Sequence, residues 1–117
     1  MSNKIRTVIA YKKYFVEFLQ SQPEKVQDKI YKIIEIIETQ QQIPEKFLKQ
    51  IKGVKGLYET RFRLASNIWR VFCFFDERKL VILLNGFQKK TEKTPKREIA
   101  KASRLMQEYY SEKKQTR

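Results

Sequence analysis

The sequence predicts one α+β domain on a single twisted sheet, antiparallel or mixed, with the element order β-α-α-β-β-β-α. Two patterns carry this prediction. Over residues 11–39, and again after Pro95, apolar residues recur at the three- and four-residue spacing of helices. Over residues 57–88, apolar residues alternate with polar ones or form short runs separated by turn residues, as strands do. A chain of 117 residues, 41% of them apolar, can bury the core of one domain.

The first half of the chain predicts one strand and two helices. Residues 5–10 are rich in β-branched side chains and indicate a short strand. Residues 11–20 form a helix, and a second helix begins near Pro23, a residue that suits the first helical position. Because the break between the helices is short, we expect an antiparallel helical hairpin. A basic connector follows over residues 43–56, with a lysine at every third position: Lys46, Lys49, Lys52 and Lys55.

The second half predicts a three-stranded meander and a final helix. Strands are expected over 57–65, 68–76 and 79–88, joined by turns at 66–67 and 77–78. The final helix begins at Pro95 and carries its apolar stripe on Ile99, Ala102, Met106 and Tyr109. The domain is expected to span residues 1–112, and residues 113–117 to form a frayed basic tail.

The predicted turns decide which side chains share a face of the sheet. They place Arg63 opposite Arg70, Arg61 opposite Phe72, and Asn85 opposite Arg70. One face is then apolar and suits the helical hairpin, with Tyr58, Thr60, Phe62, Leu64, Trp69, Val71, Cys73, Phe75, Leu80, Ile82 and Leu84. On the other face, only the end nearest the predicted turn at 77–78 needs to be covered by the final helix. The apolar residues at that end are Leu57, Phe74, Val81 and Leu83. The other end of this face forms an open basic cleft of Arg61, Arg63, Arg70, Asn85, Phe87 and Lys89.

The charge of the chain points to a polyanionic partner. Lys and Arg number 26 against 13 acidic residues, which gives a net charge of +13 and a pI near 9.9. Two opposed arginines destabilise a sheet by up to about 1 kcal/mol unless an anion lies between them, and guanidinium groups match phosphate oxygens in pairs. Alternatively, both arginines point into solvent, or one of them pairs with Glu59.

Several classes of site and location are excluded by composition. The chain has no histidine and one cysteine, Cys73, in an apolar run. No internal disulfide can form, which fits a reducing compartment. A Cys/His zinc site is also excluded, and we expect neither metal nor cofactor. No apolar run approaches about 18 residues, so we expect no signal peptide, no membrane span and a cytoplasmic location.

Four stretches of the second half match the pattern of a known family. They are Gly56-Leu-Tyr-Glu-Thr-Arg61, Trp69-Arg-Val-Phe72, Val81-Ile-Leu-Leu-Asn-Gly-Phe-Gln-Lys-Lys-Thr91 and Lys93-Thr-Pro-Lys-Arg-Glu-Ile-Ala-Lys-Ala102. The chain resembles the RelE/ParE toxin superfamily, in particular its HigB-like, phage-derived branch, over roughly residues 5–110. Of these features, the string hydrophobic-Gly-Phe-x-Lys-Lys-Thr-x-Lys-Thr-Pro is the most specific for that branch.

The resemblance implies the toxin half of a type II toxin–antitoxin pair. Most RelE- and HigB-like members cut mRNA on the translating ribosome, so it implies a ribosome-dependent endoribonuclease that needs no metal. It also implies a cognate antitoxin, which in this branch usually carries a helix-turn-helix. Two alternatives stay open: a noncatalytic, ParE-like inhibitor of DNA gyrase, and a simple nucleic-acid-binding module.

The candidate site residues combine the face assignment, the lysine spacing and the resemblance. Arg61 and Arg70 match the family's strand arginines, and Lys89, Lys90 and Thr91 match its Lys-Lys-Thr element. The candidate catalytic residues are Arg61, Arg70, Lys89, Lys90 and Glu59, where Glu59 is either a general base or a structural partner of Arg61. The candidate phosphate- or RNA-binding residues are Arg63, Lys52, Lys55, Asn85, Phe87, Thr91 and Lys93. The late catalytic tyrosine of some members maps onto Tyr109 or Tyr110, and the histidine of others has no counterpart.

Overall fold

The computed structural model describes residues 3–89 and 94–115, which form a five-stranded sheet with helices on both faces. The strands are β1 (Thr7–Ala10), β2 (Leu48–Gln50), β3 (Tyr58–Leu64), β4 (Asn67–Asp76) and β5 (Leu80–Lys89). The helices are α1 (Tyr14–Gln20), α2 (Glu24–Thr39) and α3 (Lys96–Gln115). The sheet order is β1-β5-β4-β3-β2, with β1 parallel to β5 and the other pairs antiparallel. The predicted α+β class with one mixed sheet is confirmed.

The predicted element order lacks one strand. Leu48–Gln50, inside the predicted basic connector, forms β2 at the edge of β3. Three residues are too few for a period of two to be visible in a sequence. In β2 only Leu48 is half-buried and the other two residues are exposed, so no apolar pattern marks the strand.

Each face of the sheet has its own core. On one face, α1 and α2 bury Ile30, Ile33 and Ile37 against strand residues such as Phe62 and Val71. On the other face, α3 buries Ala102 and Leu105 against Leu57, Phe74 and Ile82. The helical hairpin and the final helix therefore cover the two faces as predicted. Within the described ranges, no helix has the length and apolar character needed to cross a bilayer.

The turn between β3 and β4 lies one residue earlier than predicted. Leu64 pairs with Asn67, so Arg61 faces Arg70 and Arg63 faces Ile68. The predicted Arg63–Arg70 pair is therefore wrong, as is the pairing of Arg61 with Phe72. The register differs by two positions, and each side chain keeps its predicted face because faces alternate with a period of two. The turn places Ala65 at φ 56°, a region that alanine seldom adopts and that its sequence does not signal.

A turn longer than predicted and a bulge together set the faces of β5. Cys73 pairs with Leu83 and Val71 with Gly86, so two residues of β5, Leu84 and Asn85, lie opposite Phe72 alone. The turn between β4 and β5 is one residue longer than the predicted 77–78, since Asp76 pairs with Leu80 rather than Lys79, and this shift of one reverses the first half of β5 relative to the prediction. Val81 and Leu83 pack in the core under α1 and α2, whereas Leu80, Ile82 and Leu84 pack under α3.

Beyond the bulge, the strand returns to the predicted alternation. Arg70 faces Phe87 rather than the predicted Asn85. Gly86 lies beneath α1, where a Cβ atom would be 2.6 Å from Cδ2 of Phe18. Only glycine fits this approach without moving the Phe18 ring, so Gly86 fixes how closely α1 packs on the sheet.

The end of α3 is bonded to the turn between β4 and β5. The buried carboxylate of Asp76 accepts hydrogen bonds from the Tyr109 hydroxyl at 2.7 Å and from Lys113 Nζ at 2.9 and 3.0 Å. α3 continues to Gln115, so the predicted frayed tail is wrong for residues 113–115. Residues 116–117 of that tail lie outside the described residues. These contacts hold α3 over the half of the sheet face that lies nearest the turn between β4 and β5. The other half of that face is left uncovered.

Candidate functional site

Three arginines meet on the half of the sheet that α3 leaves uncovered. Arg61 on β3 and Arg70 on β4 face each other directly, and Arg63 lies two residues further along β3. All three line one cavity of about 320 Å³. The predicted basic cleft is thus built from β3 and β4, although the opposed pair is Arg61–Arg70. Such a pair is unfavourable in a sheet unless negative charge lies beside it.

Glu59 supplies part of that negative charge. Its Oε1 lies 3.4 Å from Arg61 Nη2 and 3.4 Å from Arg70 Nε. Its Oε2 accepts a hydrogen bond from the Thr94 hydroxyl at 3.3 Å. The sequence allows one arginine to pair with Glu59. In the structure, Glu59 pairs with two arginines at once. One carboxylate among three guanidinium groups leaves the cluster positively charged.

Arg70 is the most buried of these arginines, with 5% of its surface exposed. Its Nε lies near Glu59 but is not aligned for a hydrogen bond, and no other described residue accepts from it. Burial lowers the pKa of Arg70; Glu59 opposes that change, while Arg61 and Arg63 add to it. Arginine nevertheless stays protonated in proteins. A buried cation with a spare donor, in an open cavity, is suited to bind an anion.

Two lysines outside the predicted site set also line this cavity. Lys46 comes from the predicted lysine series of the connector, and Lys29 comes from α2 on the other face of the sheet. The cavity reaches both faces where β2, which begins at Leu48, leaves the outer edge of β3 beyond Arg61 without a strand partner on the side away from β4 in the described chain. No sequence signal separates Lys29 from Lys25 and Lys32 on the same helix.

Three of the predicted residues lie next to the arginines in different roles. Asn85 is buried and donates to the backbone carbonyl of Glu98 at 3.4 Å and to its Oε1 at 3.2 Å, so it anchors the first turn of α3. Phe87 lies opposite Arg70 and stacks on Phe72 with ring centroids 5.7 Å apart. Lys89 lies opposite Ile68, a residue of the cavity wall.

Other predicted residues are not brought to the cavity. Lys52 and Lys55 are exposed in the turn before Leu57, at the opposite end of β3 from Arg63. Lys90, Thr91 and Lys93 lie outside the described residues. Within residues 3–89 and 94–115, no group of three or more acidic or cysteine side chains is placed to hold a metal ion.

The two late tyrosines pack at the far end of the sheet. Their rings lie 5.1 and 5.3 Å from Phe74, for Tyr109 and Tyr110 respectively. Asp76, the partner of Tyr109, is six residues from Arg70 on β4, which corresponds to about 20 Å of strand. Burial, together with the hydrogen bond to Asp76, raises the pKa of Tyr109 to about 12. The structure therefore gives Tyr109 a packing role and separates it from the arginines.

A family comparison covers most of this architecture. The family described as "Phage derived protein Gp49-like (DUF891)" matches residues 17–107, a range that includes the three arginines, Glu59 and the first half of α3. The chain belongs to this Gp49-like family. A comparison with curated proteins found no match.

Two solved structures share the fold of this Gp49-like protein. One is the archaeal RelE–RelB complex from Pyrococcus horikoshii OT3, at 25% identity and a TM-score of 0.53, over 70% of this chain and 92% of that chain. The other is the RelB–RelE antitoxin–toxin complex from Methanococcus jannaschii, at 22% identity and a TM-score of 0.53, over 74% of this chain and 99% of that chain. At 22% identity the second likeness shows the fold alone. The predicted membership of the RelE superfamily, in its phage-derived branch, is confirmed.

Proposed function

We propose that this Gp49-like protein is the toxin of a type II toxin–antitoxin system and cuts mRNA on the translating ribosome. The observation that carries the proposal is Arg70, buried beside Arg61 and Arg63 in an open cavity, with an Nε that is ion-paired with Glu59 but makes no hydrogen bond. This arrangement fits a phosphate that carries extra negative charge in a transition state. The solved structures of similar fold are toxin–antitoxin complexes, which supports an antitoxin partner. We also propose that this antitoxin carries a helix-turn-helix.

The reaction that suits this site is an attack within the RNA strand, with no metal ion. The ribose 2′-oxygen bonds to the adjacent phosphorus and the bond from phosphorus to the 5′-oxygen breaks. The products are a 2′,3′-cyclic phosphate and a 5′-hydroxyl end. One proton leaves the 2′-hydroxyl, and one is delivered to the departing 5′-oxygen. Arg61 and Arg70, assisted by Arg63, would stabilise the charge that develops on the other two phosphate oxygens.

Fewer residues are candidates for the two proton transfers than for stabilising the charge on the phosphate. Lys89, on the strand beside Arg70, and Lys90, the next residue in sequence, are our candidates to assist the departing oxygen. Glu59 is better suited to positioning, because both of its oxygens contact other side chains and 5% of its surface is exposed. A site with so few groups for proton transfer depends on accurate placement of the substrate, which can contribute a large part of a rate. The ribosome would supply that placement, in the cytoplasm and away from membranes.

The direct test is cleavage of mRNA in a programmed ribosome. Purified protein is added to a ribosome paused on a defined mRNA, without added divalent metal beyond what the ribosome needs, and the new 5′ ends are mapped. We expect cuts at the codon in the ribosomal A site, with 5′-hydroxyl ends. Intact mRNA would overturn the proposal. Inhibition of DNA gyrase by the same preparation, without RNA cleavage, would identify a ParE-like inhibitor instead.

Replacing Glu59 with Gln separates a positioning role from a general-base role. Gln keeps the volume and the contact with Thr94 but removes the negative charge. A positioning role predicts tighter binding of the RNA backbone, since the cavity becomes more positive, and a loss in single-turnover cleavage of about tenfold or less. A general base predicts a loss of about 10²- to 10⁴-fold. The pH dependence of the cleavage rate gives a second criterion. Loss of a general base removes the rise in rate that accompanies deprotonation of that base, whereas loss of a positioning group leaves that rise in place.

A further inference from the structure

Phe47 is an aromatic side chain at the cavity that the phosphate chemistry does not use. It is half-buried and lines the cavity together with Lys29, Lys46 and the three arginines. Its carbonyl accepts a hydrogen bond from the Arg61 N–H at 3.0 Å, and its own N–H donates to the Pro44 carbonyl at 2.9 Å. The two backbone bonds hold the residue one strand spacing from Arg61, about 5 Å away.

The surroundings of Phe47 differ from those of the other aromatic residue in the cavity wall. Phe62 is 2% exposed and belongs to the core under α1 and α2. Phe47 packs only partly on that core, and the exposed Lys46 ammonium lies 5.0 Å from the centre of its ring. An exposed lysine side chain is displaced at little cost. The Phe47 ring therefore presents a surface that another flat group can cover.

A half-exposed ring among cations matches how proteins bind single-stranded nucleic acid. In such sites the backbone lies in a positively charged groove and successive bases stack on aromatic rings. The cavity provides this combination around the open outer edge of β3, with arginines on one face of the sheet and Lys29 on the other. A strand that enters over the arginines can leave past Lys29 without crossing α3.

We propose that Phe47, Lys29 and Lys46 form a nucleotide subsite beside the arginine cluster, in which one base of single-stranded RNA stacks on Phe47. The phosphate on one side of that nucleotide binds the arginines, and the phosphate on the other side binds Lys29 and Lys46. The subsite rests on the proposed function for its substrate class. It adds a contact to a base, whereas the arginines contact the backbone.

The test is binding of a short fluorescent single-stranded RNA to the isolated protein, measured by anisotropy. Phe47→Leu keeps an apolar side chain against the core but removes the flat ring. We expect it to weaken RNA binding by about 5- to 150-fold, the range that one base stack contributes. Phe47→Trp should restore binding. An abasic strand of equal length should bind to Phe47→Leu and to the wild type with affinities within a factor of two.

Matched controls separate the subsite from general effects. Tyr31→Leu removes an exposed aromatic ring from α2 that does not line this cavity, and it should leave RNA binding unchanged. Lys29→Gln should reduce the slope of log affinity against log salt by about 0.7. Lys32→Gln, on the same helix but outside the cavity wall, should change the slope much less. Thermal unfolding of each variant shows whether the fold is retained.

Several outcomes would overturn the subsite. They are wild-type affinity in Phe47→Leu, equal losses for RNA and abasic strands, equal effects of Lys29→Gln and Lys32→Gln, or no RNA binding by the wild type. If Phe47→Leu fails to fold, Phe47→Trp and the lysine pair still decide the question. Binding that depends on Phe47, without cleavage on the ribosome, would leave the subsite standing and remove the proposed enzyme activity.

Discussion

Arg61→Ala is expected to lower the rate of mRNA cleavage on the ribosome by about 10²- to 10³-fold, the usual effect of removing one preorganised donor to a developing charge. Arg61 is the better choice for this test because 34% of its side chain is exposed, whereas the Arg70 side chain is buried. Removing Arg70 would leave a cavity and take one cation from the buried Glu59. Loss of activity in that variant could then follow from loss of the fold.

The control for Arg61→Ala is Arg104→Ala, which removes the same charge from an exposed position on α3 outside the cavity. Cleavage should then fall no more than a few-fold. Single-turnover rates at saturating ribosome complex separate the chemical step from weaker binding. Similar rates for Arg61→Ala and the wild type would remove the arginine cluster from the mechanism. A similar loss in Arg104→Ala would mean that the overall charge of +13, rather than this cavity, sets the rate.

The arginine cluster shows why part of the site could be predicted from the sequence. The predicted turn, together with strand alternation, places Arg61, Arg63 and Arg70 on one face, and the structure has them on one face although the predicted register is off by two. An even error preserves faces and changes only the opposing partner. To predict the residue opposite Arg70, the position of the turn must be known, and that position depends on the left-handed backbone conformation of Ala65.

The features that the sequence could not supply depend on contacts between distant segments. The turn between β4 and β5 is one residue longer than predicted and reverses the faces of residues 80–84, whereas the bulge at Leu84 and Asn85 restores them, and no residue type there indicates either feature. Lys29 lines the cavity beside the outer edge of β3 that the short β2 leaves open, and β2 itself has too few residues to show a pattern. Tyr109 was a candidate from its place late in the chain, but its partner is set by where α3 lies on β4.

The stability of the folded protein is expected to fall steeply between pH 9 and pH 12. Burial raises the pKa of the Cys73 thiol from 9.0 to about 12. Burial, together with hydrogen bonds to acidic side chains, raises the pKa values of Tyr11 and Tyr109 from 10.0 to about 12. In the unfolded chain these three groups lose their protons at the lower values, while the folded chain retains them. The stability they contribute is complete below pH 9 and is lost as the pH rises toward 12.

The size of this loss follows from the difference in pKa between the folded and unfolded states. A difference of one pKa unit between the folded and unfolded states corresponds to about 1.4 kcal/mol. The three raised pKa values act in the same direction, so their effects add within a typical total stability of about 5 to 15 kcal/mol. Lys113 acts in the same direction, because hydrogen bonding to Asp76 raises its pKa and the bond weakens once the ammonium loses its proton.

Urea unfolding at pH 8, 9, 10 and 11 measures this dependence, and three variants assign it. Cys73→Ala should reduce the fall in the free energy of unfolding between pH 9 and 10, where the thiol loses its proton in the unfolded chain. Tyr109→Phe should flatten it above pH 10 and also lower stability at pH 8, through the lost hydrogen bond to Asp76. Tyr31→Phe removes an exposed hydroxyl and should change neither region.

A flat curve up to pH 11 would mean that water reaches Cys73 and the Tyr109 hydroxyl in the folded protein. The packing of α3 on Phe74, and the bond from Tyr109 to Asp76, would then be wrong. The half-covered face of the sheet depends on that packing, since α3, bonded to Asp76 near its last turn and to Asn85 at its first turn, leaves the arginines uncovered. Alkaline unfolding therefore tests, without any RNA or partner, the arrangement that exposes the proposed site.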